Sequence, residues 1–257
     1  MSQRSVFSTV NGRRRLIAFV ILLLGISFYF GLNWYKSGLI ASHPTSAHVN
    51  FTKLASKLWL RNPRVGIQVG HLNANNHPDE LAVLRNNTGG SIDGIDEVSL
   101  NLAIAQHLQR LLEAQGIVVD LLPAKIPRRY SADLVLSIHI DANVNRHRRG
   151  YKSAHFMPPR NPAEPELKKL VDRTYLLASG FPDDEANLTS GMLEYYAFNY
   201  KRFRHSVHRN TPSLIVELGY LSNPKDLSYL EESQAPAHAL AESIVEFLQL
   251  RGRLTPP

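Results

Sequence analysis

The chain of 257 residues contains no cysteine. Disulfides, thiolate metal sites and cysteine nucleophiles are therefore excluded, and the fold must be held by its apolar core. Acidic residues are missing from the whole stretch before Asp79, whereas residues 1–64 hold nine of the 29 Lys and Arg. The formal charge of +7 thus becomes −2 for residues 65–257. A nearly neutral main body removes the electrostatic support for nucleic-acid binding, and no such partner is expected. Internal repeats and low-complexity tracts are also absent.

The basic N-terminal segment has a different explanation. Leu16 to Trp34 is a run of 19 residues without a charge, close to the roughly 20 that span a bilayer as a helix. Arg13, Arg14 and Arg15 precede it, so the positive-inside rule keeps the N-terminus in the cytoplasm and sends the rest outside. Tyr29, Trp34 and Tyr35 would lie near the far interface. A cleaved signal peptide is the rival reading, but its apolar region is usually about 7–15 residues and ends in small residues. The longer core and the bulky Asn33-Trp34-Tyr35-Lys36 flank favour an anchor. The expected organisation is a basic cytoplasmic tail (1–15), a transmembrane helix (16–34), a polar linker (35–63), a catalytic domain (64–251) and a short tail (252–257). At this length one good-sized domain is the expectation.

Within the domain, Arg64–Gly70, Val118–Leu122, Asp133–Ile138 and Ser213–Val216 are short apolar runs that read as buried strands, with a further strand expected from Gly150 to Met157. Between them, Leu100, Ile104, Leu108, Leu111 and Leu112 recur at helical spacing until Gly116. Helices are also expected over 166–179 and 235–250. The fold class is therefore α/β, a single domain with a central mixed, mostly parallel sheet flanked by helices. Residues 180–212 carry no clear pattern. The polar stretch between His71 and Glu97 reads as a long functional loop.

Four residues stand where a run ends or a helix opens: His71, Glu97, His139 and Glu217. Ligands of open α/β sheets gather at the carboxyl ends of strands, and two histidines with a carboxylate suit catalytic zinc. Glu217, between Leu214-Ile215-Val216 and Leu218-Gly219, is the strongest anomaly, because a carboxylate among apolar residues needs a partner or a shifted pKa. It is either half of a structural ion pair, for example with Arg204, or a general base. His43, His48, His77, His147, His205 and His208 read as solvated, and His107 as packed on its helix. The tract Tyr195–Arg204 reads as edge structure on the core, with a sugar-stacking or carboxylate-binding wall as the alternative. Asn143 and Arg204 are the candidates for substrate contacts. No covalent nucleophile is evident.

Several segments carry a resemblance: Val69-Gly70-His71, Gly94-Ile95-Asp96-Glu97 with Leu100 to Ala105, Ser137-Ile138-His139, and Pro212 to Glu217-Leu218-Gly219-Tyr220-Leu221-Ser222-Asn223-Pro224. In this order they resemble the zinc-dependent N-acetylmuramoyl-L-alanine amidases over about residues 64–251. The resemblance implies that His71, Glu97 and His139 bind one zinc ion and that Glu217 is the catalytic acid/base. It also implies peptidoglycan as substrate, cut between muramic acid and the L-alanine of the stem peptide. The chain departs from the family after His71, where Leu72 to Asn76 replace a Gly-Gly-x-Asp-x-Gly loop, between Leu122 and Asp133, which is short, and after His139. Another exported zinc hydrolase, such as a carboxypeptidase or deacetylase, and a silent wall-binding module are the other function classes the residues allow.

Overall fold

Seven strands and five α-helices follow one another in a computed structural model that describes residues 62–255. The expected tail at 1–15, the transmembrane helix at 16–34 and most of the linker lie outside the described residues. Among the described residues, no helix is long and apolar enough to cross a membrane.

Strand β1 (Arg64–Val69) is buried from Val65 onward. It leads to a short hairpin, β2 (Ser91–Ile92) and β3 (Ile95–Asp96), and then to α1 (Glu97–Glu113). Next come β4 (Val118–Leu122), β5 (Leu134–Asp141), β6 (Lys152–Ala154), α2 (Glu164–Ser179), α3 (Ser190–Leu193), β7 (Ser213–Tyr220), α4 (Pro224–Glu231) and α5 (Gln234–Leu250). The main sheet runs in the order β4-β1-β5-β7-β6. Its first four strands are parallel and β6 is antiparallel to β7, which makes the expected mixed, mostly parallel sheet.

Strand alternation separates the two faces. Val65, Ile67, Val69, Leu134, Leu136, Ile138, Leu214, Val216 and Leu218 join one apolar cluster with the inner faces of α1, α2 and α5. The alternate residues Val135 and Ile215 join a second cluster with Met192, Tyr195, Phe198 and Val207. Gln68, Ser137, His139 and Glu217 share the parity of that second face, so the polar residues of three adjacent strands are collected on the side away from the large helices.

Two strands extend past their expected ends. β5 runs to Asp141 and β7 to Tyr220, so His139 and Glu217 sit inside strands rather than just after them. The reason is pairing: His139 is opposite Glu217, and Glu217 is in turn opposite Lys152 of β6. Ladder hydrogen bonds on both sides hold the β7 backbone extended through a residue whose side chain interrupts the apolar run. Helix α4 was not expected, although Asn223 caps it by accepting from the backbone N–H of Lys225 at 3.0 Å and Pro224 opens it. The long polar segment after His71 is not structureless, since it holds two 3₁₀ turns (Ala74–Asn76 and Asp79–Leu84) and the hairpin.

Candidate metal centre

His71 follows β1 in a left-handed backbone conformation, φ 61°, which turns its ring back over the sheet. Its Nδ1 lies 2.9 Å from the Asn87 carbonyl oxygen. A carbonyl only accepts, so Nδ1 carries the proton and Nε2 is left with a lone pair. That Nε2 is 3.4 Å from Oε1 of Glu97, and Nδ1 of His139 is 3.3 Å from the same oxygen. The two imidazoles meet edge to face, 4.8 Å between centroids. The two edges from Glu97 Oε1 match a tetrahedral zinc site, in which metal–ligand distances of about 2.0–2.1 Å put neighbouring ligand atoms about 3.3 Å apart, and all three ligand atoms lie within 4.8 Å of one another. Among the described residues these three form the one cluster with metal-ligand spacing.

Glu97 is the first residue of α1 and is buried. Its Oε2 accepts from the backbone N–H of Gly90 at 2.9 Å, and its Oε1 from Asn101 Nδ2 at 3.2 Å and from the backbone N–H of Ile140 at 3.3 Å. Burial alone would raise its pKa, but the two histidines and the Gly90 amide outweigh that and hold it down at about 2. Burial, and then the neighbouring His139, lowers the pKa of His71. An ionised Glu97 and a His71 shifted towards its neutral form are protonation states that a divalent cation requires.

Gly70 is needed for this packing. A Cβ there would stand 2.6 Å from Nδ1 of His139 and 2.7 Å from the Ile138 carbonyl oxygen. On the loop side, Gly89 has φ +87° and lies beside the Glu97 carboxylate and the His71 ring.

Glu217 completes the group. Its side chain is partly exposed to a cleft of about 290 Å³ that His71, His139, Tyr195 and Tyr196 also line. Yet Oε2 is shielded from water and has no hydrogen-bond partner. Burial raises its pKa well above the usual carboxylate range, Glu97 and Asp141 add to the rise, and Lys152 opposes it. The structural alternative expected for Glu217, a pair with Arg204, does not form. Arg204 is exposed and gives its backbone N–H to Glu80. The cation that acts on Glu217 is Lys152, buried at 2 % exposure, whose Nζ is 2.5 Å from Asp141 and 2.8 Å from the Tyr220 hydroxyl.

Of the residues expected to contact substrate, neither Arg204 nor Asn143 lines the cleft. Asn143 gives its backbone N–H to Ser222 Oγ at 3.0 Å and borders a separate shallow cavity with Asp93 and Arg146. His77, expected to be solvated, is only 4 % exposed and forms part of the cleft wall, edge-on to Tyr196, with Nδ1 unpartnered. His205 is likewise not free, because its Nδ1 is 2.7 Å from Glu80. His43 and His48 lie outside the described residues. Of the 195–204 tract, Tyr195 is buried as core, but its hydroxyl is 2.9 Å from His139 Nε2. Sequence reasoning also passed over Gln68 and Lys152. A lone Gln in Val65-Gly66-Ile67-Gln68-Val69 was the available signal for the first.

A family model described as N-acetylmuramoyl-L-alanine amidase matches residues 65–249. A search of curated protein sequences returned no match. Solved structures similar to this chain include the amidase Ami1 from Mycobacterium smegmatis, with 21% identity and a TM-score of 0.55 over 74% of this chain and 99% of that one. The catalytic domain of CwlV from Bacillus (Paenibacillus) polymyxa var. colistinus aligns at 19% identity and a TM-score of 0.53, over 73% and 98% of the two chains. An amidase from Clostridium difficile 630 gives 20% identity and 0.54, over 73% and 97%. Identities this low speak for the fold, and the family model speaks for descent. The chain belongs to the N-acetylmuramoyl-L-alanine amidase family.

Proposed function

We propose that this peptidoglycan amidase uses one zinc ion held by His71, Glu97 and His139, with Glu217 as general base and then general acid. The bond cut is the amide between the lactyl group of N-acetylmuramic acid and the L-alanine of the stem peptide. The observation that carries the reading is the direct pairing of His139 with Glu217 across β5 and β7, which puts a carboxylate with one unpartnered oxygen beside a ligand of the centre. When bound, zinc supplies Lewis-acid polarisation of a carbonyl and a lowered pKa for water. Glu97 would neutralise part of the charge of a bound ion, and the backbone amides of Gly90 and Ile140 hold its carboxylate in place. Glu217 takes a proton from the attacking water and returns it to the departing alanine nitrogen. A carboxyl group whose pKa is raised by burial suits both halves of that task.

Glu217→Gln in the purified full-length chain tests the role. Zinc content and melting temperature should be kept, while release of free stem peptides from purified wall, followed by mass spectrometry, should fall about 100-fold or more. Stem-peptide release at the wild-type rate would overturn the assignment of Glu217. A zinc content below about half an equivalent in the supplemented wild type would overturn the ligand set instead.

We propose further that residues 16–34 anchor the protein in the cytoplasmic membrane and hold a catalytic domain of residues 64–251 on its outer side. Arg13 to Arg15 before an uncharged run of spanning length support this. A reporter active only outside the cytoplasm, fused after residue 60, should give signal with the full-length protein in the membrane fraction. Recovery of a soluble exported form lacking the segment would establish cleavage.

A further inference from the structure

We infer that Lys125, Arg128 and Arg129, together with Lys201, Arg202 and Arg209, form a docking surface beside the cleft for the carboxylates of the wall polymer, so that neighbouring stem peptides are held while one is cut. The inference rests on the peptidoglycan reading above for its ligand.

The charge of the domain is segregated. Residues 123–130 and 195–212 contain no Asp or Glu, and they hold seven cations, the six above and Arg204. Taking these seven from the formal −2 of residues 65–257 leaves −9 for the remainder. All seven are exposed, and among the described residues none of their side chains has an ion-pair partner. The other basic run of the domain is already spent: Arg146 lies 3.0 Å from Asp93, Arg149 lies 3.2 Å from Asp226, and Arg148 donates to Asn187. Unpaired like charges repel one another, a cost that an anionic partner removes.

The two basic segments lie side by side. Tyr130 and Val207 pair in a parallel bridge, the Arg129 N–H donates to the Arg204 carbonyl at 3.1 Å, and the His208 N–H to that of Tyr130 at 2.8 Å. Val207 is buried in the second apolar cluster, and buried Arg160 donates to the Phe198 carbonyl at 2.8 Å. The inner side of the patch is thus fixed while its cations face out. It also borders the cleft. Lys125 follows Ala124, which lines the cleft; Glu80 of the second 3₁₀ turn accepts from the N–H of His205 at 2.8 Å, and Leu84 of that turn is a lining residue too. Burial, then Arg85, His71, His205 and Lys125 in turn, lower the pKa of His77 in the cleft wall, so the field of the patch reaches the cleft. A stem peptide ends in a carboxylate and stems recur along the glycan chain, so the polymer offers an array of anions to such a surface. Membrane lipid on the same patch would instead bring the rim of the cleft against the bilayer.

Sedimentation with peptidoglycan stripped of phosphate polymers measures the contact, using the full-length chain in a neutral detergent with zinc removed so that nothing is cut. The triple variant Lys201→Glu, Arg202→Glu, Arg209→Glu should bind the wall about 10-fold more weakly or worse, each exposed pair being weak by itself. Lys125→Gln, Arg128→Gln, Arg129→Gln, on the neighbouring segment, should weaken binding about 3- to 10-fold. Arg110→Glu, Lys169→Glu, Lys225→Glu makes the same change of charge on exposed positions of helices packed against the other sheet face, and should stay within about threefold of wild type. All three should keep the wild-type melting temperature, since the sites are exposed. Wild-type binding should also fall as salt rises from about 50 to 500 mM, and on wall whose carboxylates have been capped as neutral amides. Equal binding by the patch and control variants, or undiminished binding to the capped wall, would overturn the inference. So would a patch variant that still binds wall and loses only a preference for phosphatidylglycerol over phosphatidylcholine in mixed micelles, which would assign the surface to lipid. Patch-dependent binding without stem-peptide release by the zinc-loaded chain would support the surface and overturn the amidase reading instead.

Discussion

The two histidines of the centre are held by different kinds of structure. His139 lies inside a central strand, and its second ring nitrogen meets side chains, Tyr195 and then Gln68. His71 lies in a left-handed turn beyond β1, and its second nitrogen meets a backbone carbonyl in the loop at Asn87. The sheet side is therefore sensitive to which side chains are present, whereas the loop side is sensitive to backbone shape. Substitutions in the loop should therefore leave the centre intact as long as the carbonyl of Asn87 and the amide of Gly90 keep their places.

The largest effect should come from deleting a ligand. His139→Ala and His71→Ala should each reduce zinc from about one equivalent to background, since a two-ligand remnant rarely holds the ion. The two should part in melting temperature, with the more deeply buried His139 costing more. Equal losses of stability would break the contrast between sheet and loop.

Backbone variants sharpen it next. Gly70→Ala would drive a methyl group into the His139 ring and the Ile138 carbonyl, an overpacking cost of roughly 1–3 kcal/mol, with weaker zinc binding. Gly89→Ala forces a residue with a side chain to φ +87°, at a cost of about 1–2 kcal/mol, and moves the Glu97 carboxylate. Denaturant unfolding with and without zinc measures both. The Gly89 variant should lose proportionately more of the zinc-dependent part.

Acidity separates the two carboxylates. Glu97, held at about 2 against an ordinary 4.5, is ionised in the folded state where the unfolded chain would be protonated. Its stabilising contribution is complete above pH 4.5 and is lost as pH falls from there towards 2. His71, with its pKa lowered by burial, adds to the loss on acidification below its ordinary value of 6.5. Glu217 has the opposite sign: its raised pKa means that the folded state keeps a proton the unfolded state gives up, so stability declines as pH rises from 4.5 through its folded value. Melting of the zinc-free chain against pH should show the acid-side fall in wild type and in Glu217→Gln alike. The decline on the alkaline side should be smaller in the Gln variant.

The smallest effect concerns His77. His77→Phe removes a buried, unpartnered nitrogen from the cleft wall, and the cleft it borders can take the larger ring, so the melting temperature should hold or rise by a degree or two. A clear fall would mean that the imidazole has a partner.

The elements that the sequence made legible are those with a repeating apolar pattern. β4 matches its expected bounds, α5 begins one residue before its expected start, α1 covers the expected apolar pattern and ends at Glu113, and the strand runs that lead to His71 or contain His139 and Glu217 are present. The capping signal in Ser222-Asn223-Pro224 was also there to be read, and would have located α4. The segment 180–212 was not legible, because its structure is one short helix and two 3₁₀ turns whose apolar residues answer to no single period.

Residue types and spacing alone determined the α/β class, the four residues of the centre and the exclusion of thiol chemistry, because period and composition act locally along the chain. Tertiary structure decided which polar residues surround them. Glu217 is matched with Lys152 because two strands far apart in sequence pair in register. Gln68 faces Tyr195 because strand parity and the covering segment bring together residues 127 positions apart. Hydrogen-bond direction and desolvation depend on what stands across a gap of about 3 Å, and no local pattern in a sequence carries that information.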